Sequence, residues 1–108
     1  MRIIGGRYQR KKFLPLPQNL STRPTLDRVR ETLFQRLENR QALQGARVLD
    51  AFAGTGALGL EALSRGADTV TFIENSLTIM DYLKHNVVHI VPPEDHDKIR
   101  FHQAASPA

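Results

Sequence analysis

One run of residues limits what this chain can fold into more than any other: Val48-Leu49-Asp50-Ala51-Phe52 leads straight into Ala53-Gly54-Thr55-Gly56 and then into Ala57-Leu58-Gly59-Leu60. A short apolar segment that enters a glycine turn, followed by Leu58, Leu60, Ala62 and Leu63, predicts a strand, a loop and a helix. Gly66 closes that helix as a C-terminal cap. Asp68 to Glu74 then predicts a second strand, and Ser76 to about Val88 a second helix with Leu77, Met80, Leu83 and Val87 on one stripe. The Pro92-Pro93 pair ends the helix, a polar loop covers Glu94 to Asp97, and Lys98 to Gln103 predicts a third strand. Strands joined by crossover helices run parallel, because no tight hairpin can connect them. The expected fold class is α/β, a β-α-β-α-β portion of a mostly parallel sheet.

Ahead of this unit the chain changes character. Arg2 to Phe13 carries Arg7, Arg10, Lys11 and Lys12, with Tyr8 and Phe13 among them and a Gly5-Gly6 pair that implies a turn or bulge. It reads as an exposed, extended arm. Leu14-Pro15-Leu16-Pro17 forbids helix, because each proline fixes its own φ and drives the preceding residue out of the α region. Residues 1–24 are therefore expected to form a basic arm and connector, and residues 25–108 the domain. A helix is expected from about 25 to 40, with Leu26, Val29, Leu33, Phe34 and Leu37 on its apolar stripe and Arg28, Arg36 and Arg40 mostly elsewhere. Residues 1–40 hold ten basic against three acidic side chains, and residues 41–108 five against eight, so the net charge of +4 hides two unlike halves. A basic arm beside a mildly acidic body suits a phosphate backbone, although a solubilising tail has the same composition. With 41% hydrophobic residues, no cysteine, no signal-peptide-like start and no apolar run near membrane-span length, a cytoplasmic location is the default expectation.

The letters Gly54-x-Gly56-x-x-Gly59, with Glu74 twenty residues past Gly54, match the dinucleotide fingerprint. Read alone they point to NAD. Asp50, at the end of the first strand, argues against it: a carboxylate there repels a pyrophosphate, and two like unit charges 4 Å apart cost about 1 to 4 kcal/mol at effective dielectrics of about 80 to 20. The same carboxylate attracts an ammonium and a sulfonium. S-adenosylmethionine carries both and no phosphate. On this reading Gly54 and Gly56 let backbone approach the amino-acid end of the cofactor, Asp50 holds its ammonium, Phe52 and Thr55 line the loop, Glu74 accepts the ribose hydroxyls, and Leu77 or its neighbours flank adenine. In the alternative, Asp50 and Glu74 only cap the following helices, and Phe52, Thr55 and Gly59 serve packing.

Arg2-Ile3-Ile4-Gly5-Gly6, the stretch Arg23-Pro24-Thr25-Leu26-Asp27-Arg28-Val29-Arg30-Glu31-Thr32-Leu33-Phe34, and Leu49 to Ala67 together resemble the bacterial methyltransferases that modify guanine N2 in 16S ribosomal RNA. The resemblance covers nearly all of the chain, and its most particular part is the glycine-containing basic arm joined to Arg-Pro-Thr-x-Asp-Arg-Val-Arg-Glu. It implies the Rossmann-like class I fold, with S-adenosylmethionine over the first two strands, S-adenosylhomocysteine as product, and this chain as the cofactor-binding portion. It also implies that Thr25 and Arg28 contact the methionine end, and that Arg7, Arg10, Lys11 and Lys12 touch rRNA or a small ribosomal subunit particle, with Tyr8 or Phe13 stacking on a base. For Arg28 and Arg30 a solvated helix face pairing with Glu31 or Asp27 is the alternative.

This sequence departs from the family pattern in two places. The family's catalytic motif, Asp or Asn before Pro-Pro and an aromatic residue, follows a fourth strand, and no match to it occurs here. Val91-Pro92-Pro93-Glu94 precedes the third strand and lacks both flanking residues, so no catalytic residue is assigned. The third strand ends in Gln103-Ala104-Ala105 where the family offers a polar side chain near adenine, and Gln103 is the candidate replacement. His85, His89, His96 and His102 do not share one helical face, and no metal is expected. In the implied fold the first strand is central, so its apolar edge is expected to lie open and to promote self-association. Two other classes remain open at this point: an NAD-type oxidoreductase domain and a non-catalytic RNA-binding module.

Overall fold

The computed structural model describes residues 1–15, 27–51 and 53–104. The expectations for Thr25, Leu26, Phe52 and most of the connector fall outside the described residues. Helix α1 spans Asp27–Asn39 and is followed by strand β1, Arg47–Ala51. Helix α2 spans Ala57–Ser64, strand β2 Thr69–Glu74, helix α3 Leu77–Ile90 and strand β3 Ile99–Gln103. The three strands are parallel in the order β1-β2-β3, with Asp50 level with Phe72 and Phe72 level with Phe101. The expected β-α-β-α-β order is present.

Local chemistry sets the boundaries. Ser76 caps α3 by accepting the Ile79 amide at 3.2 Å, and Val91 ends the helix just ahead of the two prolines. The loop expected at Glu94 to Asp97 is instead a 3₁₀ turn over Pro93–Lys98, started by the proline at its first position. Val70 and Phe72 of β2, Leu60 and Leu63 of α2, and Leu83 and Val87 of α3 are buried together, and each such side chain contributes about 1.5 to 3 kcal/mol of burial. Phe72 stacks on Phe101 with ring centres 5.9 Å apart.

Two expectations are corrected. First, the arm is not an exposed tail. Residues 1–13 form a hook in which Arg2 bridges Lys12 antiparallel and Ile3, Tyr8 and Phe13 are buried in the core. The hook is held by α2. Glu61 accepts the amides of Ile4 and Gly5 at 2.9 Å each, and Ser64 accepts the Arg7 amide on its carbonyl at 2.8 Å and the Tyr8 amide on its hydroxyl at 2.9 Å. Gly6 is required for this approach: at φ +82 an added Cβ would stand 2.0 Å from the Ser64 carbonyl oxygen. Leu14 is clamped by α3, its amide to Asn86 and its carbonyl to the Tyr82 hydroxyl, both at 2.7 Å.

Second, the apolar stripe of α1 is split. Phe34 is buried and Leu37 partly so, but Val29 and Leu33 are exposed, and Arg30 is completely buried. Arg30 turns inward because its guanidinium donates to the Arg2 carbonyl at 2.5 Å and lies 3.6 Å from Glu61. Glu61 also receives Arg65 at 2.8 Å, so a buried charge cluster joins arm, α1 and α2. A carboxylate inside the otherwise apolar Leu58–Leu63 run is the sequence signal for this cluster.

Candidate functional site

The carboxyl ends of β1 and β2 meet the glycine loop and the first turns of α2 and α3, the place where open α/β sheets receive ligands. The loop continues the sheet by one rung, since the Ala53 amide donates to the Ile73 carbonyl at 3.1 Å. Glu74 fastens the glycine loop to the turn that opens α3. Its Oε1 accepts the Gly54 amide at 3.2 Å, and its Oε2 accepts the amides of Asn75 and Ser76 at 2.9 Å each. Three of a carboxylate's roughly four lone-pair positions are thus taken by backbone, and Oε1 keeps room for one further donor. The expected two-handed hold on a ribose is not left free by the backbone, which occupies Oε2 twice and Oε1 once.

Gly54 has φ +56 and, among the described residues, no atom within 4 Å of where a Cβ would stand, so they leave that side of the loop open to a ligand. Thr55 is buried, and its hydroxyl accepts the Ala57 amide at 3.3 Å, which makes it a brace for the start of α2. Gly56 turns the chain into α2 at φ +80. Gly59 serves packing: a Cβ there would meet the Phe72 ring at 2.4 Å.

Asp50 lies under the helix and not at the mouth of the loop. Its Oδ2 accepts the Gly59 amide at 3.0 Å, a donor in the first turn of α2. Burial pushes its pKa up to about 6, and the Gly59 hydrogen bond only partly opposes that shift. It lines a groove of about 330 Å³ with Leu33, Phe34, Leu37, Leu49 and Leu58, next to the edge of β1 that no described residue pairs, where Leu49 is 63% exposed. The carboxylate therefore takes up an amide of the first turn of α2, one of the donors on which an anion at the helix N-terminus would rely. No lysine or arginine occurs between Asp50 and Gly59, nor between Glu74 and Leu77. The residues present suit a phosphate-free ligand with cationic and hydroxyl groups.

The remaining candidates are scattered. Arg28 is exposed on α1 in a shallow groove with Val29, Thr32, Leu33 and Arg36, and among the described residues none of the glycine loop joins it there. Gln103 donates its amide to the Asn75 carbonyl at 2.7 Å, and the Ala104 amide bonds the Glu74 carbonyl at 2.9 Å, which ties the end of β3 to the β2–α3 turn. Leu77 is 75% exposed on the first turn of α3 beside them. In the arm, Arg7 is engaged by Asp95 at 3.3 Å, while Arg10, Lys11 and Lys12 are exposed. Tyr8 cannot stack on a base: its ring is buried, its hydroxyl donates to Asp95 at 2.5 Å, and burial with that hydrogen bond raises its pKa. Phe13 is buried as well. The Tyr8 hydrogen bond, more than the nearby Arg7 and Lys98, holds the Asp95 carboxyl below its usual range. His85 and His96 each bond a main-chain carbonyl, of Asp81 and Val91, at 2.7 Å.

Comparison with known proteins bears on this geometry. A family model described as conserved hypothetical protein 95 matches residues 1–106. The ribosomal RNA small subunit methyltransferase D of Escherichia coli strain K12 is 49% identical over 87 residues, 81% of this chain and 42% of that protein. Its namesake from Haemophilus influenzae is 46% identical over 87 residues, 81% of this chain and 44% of that protein. Among solved structures, Escherichia coli yhhF superposes with a TM-score of 0.78 at 42% identity, over 97% of this chain and 53% of that one. The chain spans about half the length of the relatives it matches.

Proposed function

The chain belongs to the conserved hypothetical protein 95 family, together with relatives of small-subunit rRNA methyltransferase D, and from that premise we propose that it is the cofactor-holding part of an enzyme that methylates the exocyclic N2 of a guanine in 16S rRNA. Its α/β sheet is a portion of the Rossmann-like methyltransferase fold. The cofactor is S-adenosylmethionine, the partner is rRNA or a small ribosomal subunit particle, and the setting is cytoplasmic. Among the described residues no helix is long and apolar enough to cross a membrane.

One observation carries the cofactor reading: the Asp50 carboxylate on the Gly59 amide, behind a loop whose Gly54 amide is held by Glu74. That arrangement disfavours a pyrophosphate and favours an ammonium, a sulfonium and a ribose. When bound, the cofactor supplies an activated methyl on sulfur. The chain's own residues bind and orient: Gly54 and Gly56 present backbone, Thr55 braces the loop, Glu74 accepts a ribose hydroxyl, and Asp50 sets a negative field beneath the amino-acid end. Phe52, Thr25 and Arg28 belong to the proposal as contacts to the cofactor, and Gln103 as the residue beside adenine. Guanine N2 is a weak nucleophile because its lone pair is delocalised into the ring, so the reaction depends on alignment and on acceptors for its hydrogens. A stacked guanine must also be turned out of its helix.

The test is calorimetric titration of S-adenosylhomocysteine and, separately, NAD into the protein and its Asp50→Ala and Glu74→Ala variants. Binding of S-adenosylhomocysteine that is lost on Glu74→Ala and weakened on Asp50→Ala is expected. Binding of NAD alone would make the chain an oxidoreductase domain. Salt-sensitive RNA binding without any S-adenosylhomocysteine binding would make it an RNA-binding module.

A further inference from the structure

The hook retains two unfavourable features at one place, and both involve its cations. Ile3 donates its amide to the Lys11 carbonyl and accepts the Arg10 amide on its own carbonyl, each at 2.9 Å. Two residues, Arg10 and Lys11, therefore face one. This is a β-bulge of the type whose first residue adopts left-handed geometry and is ordinarily glycine. Here that residue is Arg10, at φ +73. An arginine in this conformation is strained, and glycine would relieve it.

The second feature lies one step along. Arg2 and Lys12 are antiparallel bridge partners. The flanking hydrogen bonds, Ile3 amide to Lys11 carbonyl at 2.9 Å and Phe13 amide to Met1 carbonyl at 3.0 Å, make them a non-hydrogen-bonded pair, the closer of the two cross-strand spacings. Ile3 and Phe13 are buried, so alternation turns Arg2 and Lys12 outward on the same face, and both are exposed. Like charges directly opposite each other on a two-stranded ribbon repel. Among the described residues no carboxylate pairs with either side chain, whereas Arg7, four residues before Lys11, is neutralised by Asp95.

We propose that the bulge is a phosphate-binding clamp in which Arg2, Arg10 and Lys12 grip the backbone of an RNA, with the strain at Arg10 and the Arg2–Lys12 repulsion both retained for that ligand. The inference rests on the proposed rRNA partner and refines it: Arg2 joins the contact surface and Arg7 leaves it. A phosphate between Arg2 and Lys12 converts repulsion into two attractions, and Arg10, exposed in the bulge beside them, adds a third cation. The hook does not fold on binding. It is fastened beneath by Glu61, Ser64 and Arg30, so the clamp is preorganised.

The test couples stability to binding. Melting temperatures of the protein and its Arg10→Gly, Arg10→Lys, Lys12→Thr and Arg40→Gln variants are measured beside their affinity for a labelled small-subunit rRNA fragment over a salt series. Arg10→Gly and Lys12→Thr are expected to melt higher than the parent, to bind at least about fivefold more weakly, and each to reduce the logarithmic salt slope by about one. Arg10→Lys should match the parent in both respects, and Arg40→Gln should leave binding and melting nearly unchanged. If the parent binds the RNA and Arg10→Gly and Lys12→Thr bind it equally well with the same slope, the clamp is refuted while the rRNA reading survives. If they bind more weakly without melting higher, these are ordinary surface cations and the argument from retained repulsion and strain is wrong. A parent that binds S-adenosylhomocysteine but no RNA overturns the clamp and the rRNA partner together and leaves the cofactor reading standing.

Discussion

Helix α2 separates two carboxylates with opposite surroundings, one buried and one half-buried. Glu61 meets Arg30, Arg65 and the amides of Ile4 and Gly5, and it is fully enclosed. Asp50 has the single Gly59 amide and a wall of leucines, and its pKa rises to about 6 in consequence. On the arm side of α2 the charges of Glu61 and Arg65 meet partners within the chain. The β1 side leaves a strand edge unpaired among the described residues, an apolar groove, and a carboxylate whose charge is poorly compensated. The contrast separates a surface finished for stability from one organised around something else, and it explains why removing charge on one side and removing it on the other should act in opposite directions.

The largest loss is expected on the finished side. Glu61→Ala removes the carboxylate that Arg30 and Arg65 share and strands their charges next to the core. The expected loss is about 3 to 5 kcal/mol, read as a lower midpoint in chemical denaturation. Gly6→Ala comes next. It combines a left-handed residue with a Cβ at 2.0 Å from the Ser64 carbonyl oxygen, so the hook must lift away from α2. About 2 to 3 kcal/mol is expected, with faster amide exchange at Ile4, Gly5, Arg7 and Tyr8 as the local signature. Unchanged protection at those amides would mean the arm is held by its apolar contacts alone.

These two effects are the least legible in the sequence, for a physical reason. Strand and helix periodicity reports which face of an element is apolar, and it locates β1, α2, β2, α3 and β3 to within one or two residues. It says nothing about which charged residue will be drawn inward by a distant partner. Arg30 stands in a motif that has the pattern of a solvated helix face, yet Glu61 lies 31 positions further on and makes it a core residue. The arm misleads for the same reason: its charge count hides Ile3, Tyr8 and Phe13, whose spacing fits neither helix nor strand because they line the inside of a hook. At the glycine loop the reverse holds. The left-handed turns at Gly54 and Gly56 are readable because turn chemistry is local, whereas the bond from the Gly54 amide to Glu74 is not. The direction of Asp50 is not readable, since a residue at a strand end can serve the loop or the helix after it.

On the unfinished side the expected sign reverses. The folded pKa of Asp50 is raised above its ordinary 3.8, so folding favours the protonated form. Its contribution is fully present below about pH 4 and is lost as pH rises through about 6. Asp50→Asn keeps an acceptor for the Gly59 amide and removes the charge. The variant should be more stable than the parent by about 1 to 2 kcal/mol at pH 8, after discount for partial exposure, and equal to it near pH 3.5. Melting curves across that range check the prediction. A constant difference at all pH values would show that the carboxylate is already well solvated. An ammonium group near Asp50 has the opposite preference, so S-adenosylhomocysteine, which keeps that group, should bind the parent more tightly as pH rises from 5 to 7.

The smallest effect on stability tests the open edge itself. Leu49 stands midway along β1 on a strand that pairs only with β2 among the described residues, and it is 63% exposed. An unpaired apolar edge recruits another strand, and a lysine in its centre is a common device for preventing that. Leu49→Lys removes little buried area, so its effect on the melting free energy should lie within about 0.5 kcal/mol. Its effect on assembly should be large by comparison: sedimentation velocity over a concentration series is expected to show the parent associating and the variant shifted to monomer. A parent that stays monomeric at all concentrations would mean the groove beside Asp50 and the edge next to it are tolerated by the fold without a partner. In that case the asymmetry across α2 concerns ligand chemistry and not assembly.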